Sequence, residues 1–309
     1  ALALRERLYR TPNYRLLFSE GDALPGVIVD RYGDHLVVQV TTAGMERHRE
    51  ALVDALVEVL RPAGVLLRND GAGRATEGLD RYVELAFGEL PEHLLVEEGG
   101  CRFLVSPGTG QKTGWFYDQA PNRQAFRHLV AGRRVLDVCS YVGAWSIQAA
   151  AAGADQVVAV DASESALDLL HRNAALNGVE ERVSGLRGDA FEVIRQQRAA
   201  GECYDLVVLD PPAFIKRRKD SKEGMLAYRR LNEAALGLLQ RDGLLVSASC
   251  SFHFSGDDLL RTLQQAARHA DRSLQVLRRG YQGPDHPLHP AIPETGYLKA
   301  FTVRVLPTQ

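Results

Sequence analysis

From Arg134 onward, short apolar runs alternate with stretches of helical periodicity, and this alternation constrains the fold more than any other feature. The runs are rich in Val and Leu, which is typical of strands buried on both faces of a sheet. A helix between consecutive strands indicates parallel crossover connections. The expected strands are 134–138, 157–161, 183–187, 206–210 and 244–249, and the expected helices are 144–152, 165–177, 190–200 and 226–239.

The end of the chain departs from this alternation. A helix over 257–270 is followed by two apolar runs, near 274–277 and 298–305, with no helical stretch between them. Two such runs favour an antiparallel hairpin. The sequence therefore predicts an α/β fold with a Rossmann-like sheet that is mostly parallel and ends in an antiparallel strand.

The first 106 residues predict a smaller α+β domain. Strands at 27–30 and 36–40 flank Arg-Tyr-Gly-Asp, which is a hairpin signal. An amphipathic helix over 46–60 stops before Pro62. Further strands are expected at 65–68 and 82–87, and a pair at 94–96 and 102–105. We therefore expect one domain over 1–106 and a second over 107–309.

Composition excludes several classes of protein. No run of about 18 apolar residues is present, so no membrane-spanning helix is expected. Charges interrupt the N-terminal stretch at once, which does not fit a secretory leader. The four cysteines lie far apart, which argues against a zinc site or a disulfide framework and favours the cytoplasm. A formal net charge of −2 is not that of a protein that coats nucleic acid through global charge.

Residues 107–114 form a Gly-rich connector, Pro-Gly-Thr-Gly-Gln-Lys-Thr-Gly. We reject a phosphate-binding loop here, because the spacing differs and no strand leads through it directly into a helix. A helix reaching about Val130 should follow, capped by Asp118 or Asn122.

Acidic and small residues gather at the expected carboxyl ends of the strands, where such sheets bind ligands. Gly143 permits close approach of a ligand, and Asp161 is placed to accept hydrogen bonds from ribose hydroxyls. An acidic residue at a strand end is, taken alone, more often a helix cap. The expected cofactor-binding residues are Asp137, Ser140, Tyr141, Gly143, Asp161, Ala162, Asp189, Ala190 and Asp210, with Asp189-Ala190 holding the adenine amino group.

The first turn lacks the G-x-G-x-x-G pattern with which a dinucleotide site seats a pyrophosphate. S-adenosylmethionine has no phosphate and does not need that pattern. The sequence therefore favours S-adenosylmethionine over a nicotinamide cofactor.

Asp210-Pro-Pro-Ala-Phe214 resembles the (Asn/Asp)-Pro-Pro-(aromatic) loop of methyltransferases that act on planar nitrogenous groups. Pro211 and Pro212 stiffen this loop, so that Asp210 can meet a base edge and Phe214 can stack on the ring. The alternative is a proline turn that merely ends a strand.

Cys250 follows the fifth strand, beside the strand that ends in Asp210. An isolated thiol is most often an ordinary buried residue. In this place we favour a nucleophile, since a thiolate that adds to carbon 6 of a pyrimidine activates carbon 5 for methylation. Cys250 and Asp210 are thus the candidate catalytic residues.

The basic run 215–222 follows the same loop. Lys216 and Arg217 are candidates for RNA phosphate contacts, although a solvated surface is about equally compatible with such a run. Tyr228 and Asn232 lie one helical turn apart and are candidates to line the same pocket.

These motifs together resemble the bacterial large-subunit ribosomal RNA cytosine-5 methyltransferases of the RlmI type. The resemblance covers nearly the whole chain and includes Ala23–Arg31, Lys112–Gln119, Ser140–Gly143, Asp210–Phe214, Ser249–Ser251, Asp285-His-Pro and Gly296–Lys299. It implies the class I S-adenosylmethionine methyltransferase fold and Cys250 as nucleophile. It also implies that Lys112–Gln119, Asn122 and Arg123 border the active site. Members of the family begin with a PUA RNA-binding domain, and we expect this chain to lack it.

The motifs predict methylation of a pyrimidine carbon in RNA, with no metal and no membrane, and the resemblance implies carbon 5 of a cytosine in large-subunit ribosomal RNA. A guanine or other base-amine methyltransferase needs the Asp-Pro-Pro loop but no cysteine. An NAD-dependent oxidoreductase and a non-catalytic RNA-binding scaffold are the other classes considered. A homodimer is one assembly compatible with the sequence.

Overall fold

The computed structural model describes residues 1–308, which form two compact units. The first unit comprises Ala1–Asp118 together with Gly283–Thr295. Among the described residues, the second comprises 119–282 and 296–308. A domain boundary after residue 106 remains a prediction. Residues 107–118 and 283–295 pack within the first unit.

The first unit is built on a five-stranded sheet in the order β1-β2-β3-β4-β5, with a separate β6–β7 hairpin. Only β3 and β4 pair in parallel. The strands are β1 Asn13–Phe18, β2 Val27–Tyr32, β3 His35–Val40, β4 Gly64–Asn69, β5 Tyr82–Gly88, β6 Leu94–Glu98 and β7 Cys101–Val105. The helices are α1 Leu2–Leu8, α2 Ala43–Glu46 and α3 Arg49–Leu60.

Both expected hairpins of this unit are confirmed. Gly33 turns the chain between β2 and β3 at φ +61°, a conformation that glycine adopts without steric cost. The helix expected over 46–60 is instead divided between α2, which Thr42 caps, and α3. The sequence patterns above missed α1 and β1.

Buried charges tie distant parts of the first unit together. Arg15 pairs with Asp30 at 2.7 Å, and both side chains are at least nine-tenths buried. Arg5 pairs with Asp22 and donates to the backbone oxygen of Asp285, which explains why Gly283–Thr295 belongs to this unit. Buried ions need such partners, because an unpaired charge is strongly disfavoured away from water.

The second unit is a seven-stranded sheet in the order β10-β9-β8-β11-β12-β14-β13. The strands are β8 Arg134–Val138, β9 Gln156–Asp161, β10 Val183–Arg187, β11 Tyr204–Leu209, β12 Leu239–Ser249, β13 Arg272–Tyr281 and β14 Lys299–Pro307. The helices are α4 Ala120–Phe126, α5 Ala144–Ala151, α6 Glu164–Leu176, α7 Ala190–Ala199, α8 Ser221–Leu236 and α9 Gly256–His269.

The predicted α/β fold is confirmed. Strands β10, β9, β8, β11 and β12 run parallel, whereas β14 is antiparallel to both of its neighbours. The parallel strands are almost fully buried near the middle of the sheet because helices cover both faces. The order of β8, β11 and β12 brings the ends of those three strands side by side, and this positions the site.

The predicted cap of α4 is wrong. The helix begins after Gln119, and no side chain caps it. Asn122 lies inside the helix, where its side chain instead bonds to Gln119 and to a strand carbonyl. No helix within residues 1–308 is long and apolar enough to span a membrane.

Candidate active site

The turn between β8 and α5 is tightly wound. Cys139, Tyr141 and Gly143 all have positive φ, at +66°, +51° and +90°. Positive φ costs a non-glycine residue about 1 kcal/mol or more, and such strain gathers at functional sites. At Gly143 even a methyl group would lie 3.1 Å from the Leu170 side chain, so glycine serves both the turn and the packing of α5 on α6.

Asp137, near the end of β8, has a strongly perturbed carboxyl. It is fully buried, and burial raises its pKa to about 7, with Asp210 and Asp161 adding to the rise. Its Oδ2 accepts a 2.6 Å hydrogen bond from Ser146 Oγ. Its Oδ1 is buried without a hydrogen-bond partner, and so is Ser140 Oγ. Buried polar atoms are usually paired, so these two indicate a binding position for a polar ligand.

Asp161 lies at the end of β9 and accepts from two backbone amides. Tyr141 N donates to its Oδ2 at 2.8 Å and Ser163 N donates to its Oδ1 at 2.9 Å. The carboxylate therefore connects the first turn to the second, and it is half-buried. Each oxygen retains a second lone pair that can accept from a hydroxyl. Ala162 follows it at an exposed position.

Asp189 follows β10 and caps α7. Its Oδ1 accepts from Phe191 N and Glu192 N, and its side chain is exposed. Asp189 is thus a helix cap, which was the alternative considered for an acidic residue at a strand end. Its Oδ2 remains available to a ligand. Ala190 is the first residue of the helix.

Asp210 stands directly after β11 and is held by two side chains that the sequence patterns did not single out as partners. Gln119 Nε2 donates to Oδ1 at 2.8 Å, and Trp145 Nε1 donates to Oδ2 at 3.0 Å. Asn122 in turn donates to Gln119 Oε1 at 2.8 Å and to the Tyr281 carbonyl at 3.2 Å. Asn122 thus reaches Asp210 through Gln119, which fixes the rotamer of the carboxylate.

The Ser249-Cys250-Ser251 turn ends β12 and is held by hydroxyl groups. Ser249 Oγ donates to Tyr228 OH at 2.8 Å, and Tyr228 OH lies 2.9 Å from Ser251 Oγ. Ser251 N also donates to Ser249 Oγ at 3.1 Å. All three hydroxyl side chains are buried, while Cys250 between the two serines is half-buried. The network fixes the backbone on both sides of a thiol that remains partly accessible.

The same network reaches the Asp-Pro-Pro loop. Ile215 N donates to Ser251 Oγ at 3.1 Å, which ties the loop after β11 to the turn after β12. The Phe214 ring packs 4.7 Å from the ring of Tyr228 and is half-buried. Pro211 is buried and Pro212 is exposed. The structure therefore brings Asp210, Phe214 and Cys250 to adjoining strand ends.

The remaining substrate-binding candidates differ in exposure. Lys216 is exposed, and Arg217 pairs with Asp220 in an exposed ion pair at 3.0 Å. Asn232 and Arg123 are almost fully buried, so neither presents its side chain to solvent. Asn232 donates to the Tyr228 backbone oxygen at 2.8 Å, although its Oδ1 has no partner.

Sequence patterns gave an uneven signal for these contacts. Ser249 and Ser251 are polar residues that flank Cys250 where an apolar strand ends. Polar residues at a strand end are a sequence signal for a hydrogen-bonded turn. No sequence pattern indicated that Trp145 or Gln119 contacts Asp210, because both residues lie far from Asp210 in the sequence. Within residues 1–308 there is no group of three or more His, Cys, Asp and Glu side chains placed to hold a metal ion.

The chain also matches known proteins. The family model described as S-adenosylmethionine-dependent methyltransferase matches residues 76–304. The ribosomal RNA large subunit methyltransferase I of Erwinia tasmaniensis is 37% identical over 307 residues, which are 99% of this chain and 77% of that protein.

Solved structures agree in fold. A Streptococcus mutans protein provisionally assigned as an S-adenosylmethionine-dependent methyltransferase superposes with a TM-score of 0.85 at 24% identity, over 98% of this chain and 78% of that one. The crystal structure of a provisionally assigned methyltransferase in complex with SAH gives the same values.

The residues at the strand ends fit the cofactor that this family uses. A buried carboxyl with a free oxygen, at Asp137, suits the ammonium of S-adenosylmethionine, and Asp161 suits ribose hydroxyls. The family model covers most of the chain, and the relative from Erwinia matches it nearly end to end. The chain therefore belongs to the S-adenosylmethionine-dependent methyltransferase family.

Proposed function

We propose that this enzyme methylates carbon 5 of a cytosine in large-subunit ribosomal RNA through a covalent adduct with Cys250. The observation that carries the proposal is the placement of Cys250 and Asp210 at adjoining strand ends, tied together through Ser251 and Ile215. The similarity to the ribosomal RNA large subunit methyltransferase I of Erwinia tasmaniensis supports the RNA substrate. We place the reaction in the cytoplasm.

Asp137, Ser140, Asp161 and Asp189 would hold S-adenosylmethionine, as the free Asp137 and Ser140 oxygens and the strand-end positions suggest. Ser140–Gly143 would line it with backbone, and Ala162 and Ala190 would leave room beside it. When bound, the cofactor supplies an electrophilic methyl group.

Cys250 has the chemical task of making carbon 5 nucleophilic. Its thiolate adds to carbon 6, and the electron pair of the 5,6 double bond moves onto carbon 5. After carbon 5 has gained the methyl group, it loses its proton to a base, the double bond re-forms, and Sγ leaves as thiolate. The hydroxyl network of Tyr228 would keep Sγ in one position through both steps.

Asp210 would hold the cytosine edge. Gln119 and Trp145 fix its carboxylate, and an oriented acceptor can take a hydrogen bond from the exocyclic amine of cytosine. Phe214 would stack on the ring, and Pro211 and Pro212 would stiffen the loop that carries it. Buried Asn122, Asn232 and Arg123 would act as supports of this pocket, whereas exposed Lys216 and Arg217 would meet phosphate.

The test compares Cys250→Ala and Cys250→Ser with the wild-type enzyme on ribosomal RNA from a strain that lacks this activity. Nucleoside mass spectrometry should find 5-methylcytidine with the wild-type enzyme and none with either variant. RNA containing 5-fluorocytidine should trap a covalent complex with the wild-type enzyme alone, because fluorine blocks loss of the carbon 5 substituent. Cys203→Ser, at an exposed cysteine, is the matched control.

Two outcomes would contradict the proposal. Methylation that survives in Cys250→Ala would favour the base-amine alternative, in which the Asp-Pro-Pro loop acts without a cysteine. A methylated guanine or amine in place of 5-methylcytidine would do the same.

A further inference from the structure

Lys299 is a buried lysine that the proposed mechanism has not used. It begins β14, is 7% exposed, and pairs in register with Ser249 on β12, one residue before Cys250. Its Nζ donates to the backbone oxygen of Ser251, one residue after Cys250, and to the Tyr297 oxygen at 2.9 Å. The backbone of Lys299 thus pairs with the residue before the cysteine, and its ammonium is held by the backbone oxygen of the residue after it.

No carboxylate lies within ion-pair distance of Lys299 among residues 1–308. The carboxylate of Asp258 also acts on Lys299, but it already accepts a hydrogen bond from Ser255 and pairs with Arg261. A buried ammonium is costly unless an anion compensates it. Cys250 is the group with the larger opposing effect on the pKa of Lys299, because a charge on its thiol would favour the ammonium.

We infer that the Lys299 ammonium stabilises the thiolate form of Cys250, which makes Lys299 a positioning residue that acts through the cysteine. The inference deepens the proposed function and rests on it for its catalytic meaning. Cys250 gives its proton to solvent water and becomes the thiolate. Lys299 keeps its protons throughout, stabilises the sulfur before it adds to carbon 6, and does so again when the Sγ–C6 bond breaks.

The ionisation of Lys299 agrees with this role. Burial lowers its pKa to about 8, while Cys250 and Asp258 oppose that change. The amine is therefore mostly charged at pH 7 and becomes neutral as the pH rises through about 8. The polar groups that face Lys299 from the packed elements are Ser249 and Cys250 on the β12 side, Arg279 and Tyr281 on β13, and Asp257 and Asp258 on α9.

Lys299 is also reachable from solvent at one side. It lines a cavity of about 230 Å³ together with Arg279, Tyr281 and Asp257. Cys250 itself is half-buried, so a small alkylating reagent can report on its thiol in the folded protein.

The experiment measures the rate at which iodoacetamide alkylates Cys250 as a function of pH, by mass spectrometry, in a Cys203→Ser background. Lys299→Met should raise the pH midpoint by about one unit, which lowers the alkylation rate near pH 7 about tenfold. Lys299→Arg should restore most of the rate because the charge returns. Lys219→Met removes an exposed lysine and should leave the profile unchanged.

A purely structural lysine would give a different result. If Lys299→Met melts at a lower temperature but its alkylation profile superposes on that of the parent protein, the inference is wrong. Should Lys299→Met not fold, the pKa of Lys299 is measured by NMR of labelled lysine in the parent protein and in Cys250→Ser. A fall in Cys250→Ser supports the pair, and an unchanged pKa overturns it.

Neither measurement needs RNA, so the two proposals can fail separately. A shifted alkylation profile together with 5-methylcytidine formation by Cys250→Ser would retain the ion pair and reject the nucleophile. An alkylation profile that Lys299→Met does not shift, together with complete loss of activity in Cys250→Ser, would reject the ion pair and retain Cys250 as the nucleophile.

Discussion

Replacement of Asp137 by Asn should make the protein without cofactor more stable at alkaline pH and should weaken its binding of S-adenosylmethionine. The carboxyl is fully buried, its pKa is raised to about 7, and its Oδ1 has no partner. A group whose folded-state pKa lies above its unfolded value stabilises the fold at low pH. That stability is lost as the pH rises from about 4 through about 7.

The magnitude follows from the shift. Three pKa units correspond to roughly 4 kcal/mol of stability lost between about pH 4 and pH 8. Asn carries no charge and can keep the hydrogen bond from Ser146 Oγ on its amide oxygen. Its NH₂ group then occupies the place of the unpartnered oxygen, which costs about 1–3 kcal/mol. Asp137→Asn should therefore be about 1–3 kcal/mol more stable than the wild-type protein at pH 8.

Guanidinium denaturation at pH 8 and at pH 5 measures the effect. The advantage of Asp137→Asn should shrink by roughly 2–3 kcal/mol at pH 5, where the wild-type carboxyl is protonated. Ser140→Ala removes the neighbouring unpartnered oxygen without changing charge, and its effect should not depend on pH. A variant that is less stable at pH 8, or equally changed at both pH values, would refute the reasoning.

The same residue predicts how cofactor binding depends on pH. Titration calorimetry should show that S-adenosylmethionine binds the wild-type protein more weakly as the pH falls below about 7, because Asp137 loses its charge. Asp137→Asn should bind at least about tenfold more weakly and without that pH dependence. Retained affinity would remove Asp137 from the proposed cofactor site.

Three further predictions concern single contacts. Gly143→Ala should lower the free energy of unfolding by about 1–3 kcal/mol, measured by thermal melting, because it combines a positive φ with crowding against Leu170. Asp189→Ala should lower the free energy of unfolding by about 1 kcal/mol, because the cap of α7 is lost. Asp189→Ser keeps the cap, so weaker cofactor binding by this variant would indicate that the carboxylate itself contacts the cofactor. Lys216→Ala should weaken RNA binding and reduce by about one the slope of the logarithm of the binding constant against the logarithm of salt concentration. An unchanged slope in a filter-binding assay would show that Lys216 does not contact the RNA.

The sequence determined the frame of the catalytic unit because its signals are local. Alternation of Val- and Leu-rich runs with helical stretches is set by burial on two faces, so β8 and β10 begin and end where the pattern predicts. That frame also placed Asp137 and Asp161 near the ends of β8 and β9, and Asp210 directly after β11. Their role in binding the cofactor and the base stays a prediction.

Only the tertiary structure decided how those residues are held. Gln119 and Trp145 meet Asp210 from 91 and 65 positions away, and no periodicity encodes such a pairing. The segment 283–295 joins the first unit through Arg5, a contact across 280 positions. The sequence identified Lys299 only as the last residue of the segment Gly296–Lys299. The pairing of β14 with β12 is what places it opposite Ser249, next to Cys250. Local sequence fixes hydrophobic period and strand ends, whereas burial and long-range pairing fix the ionisation and the partners on which the chemistry depends.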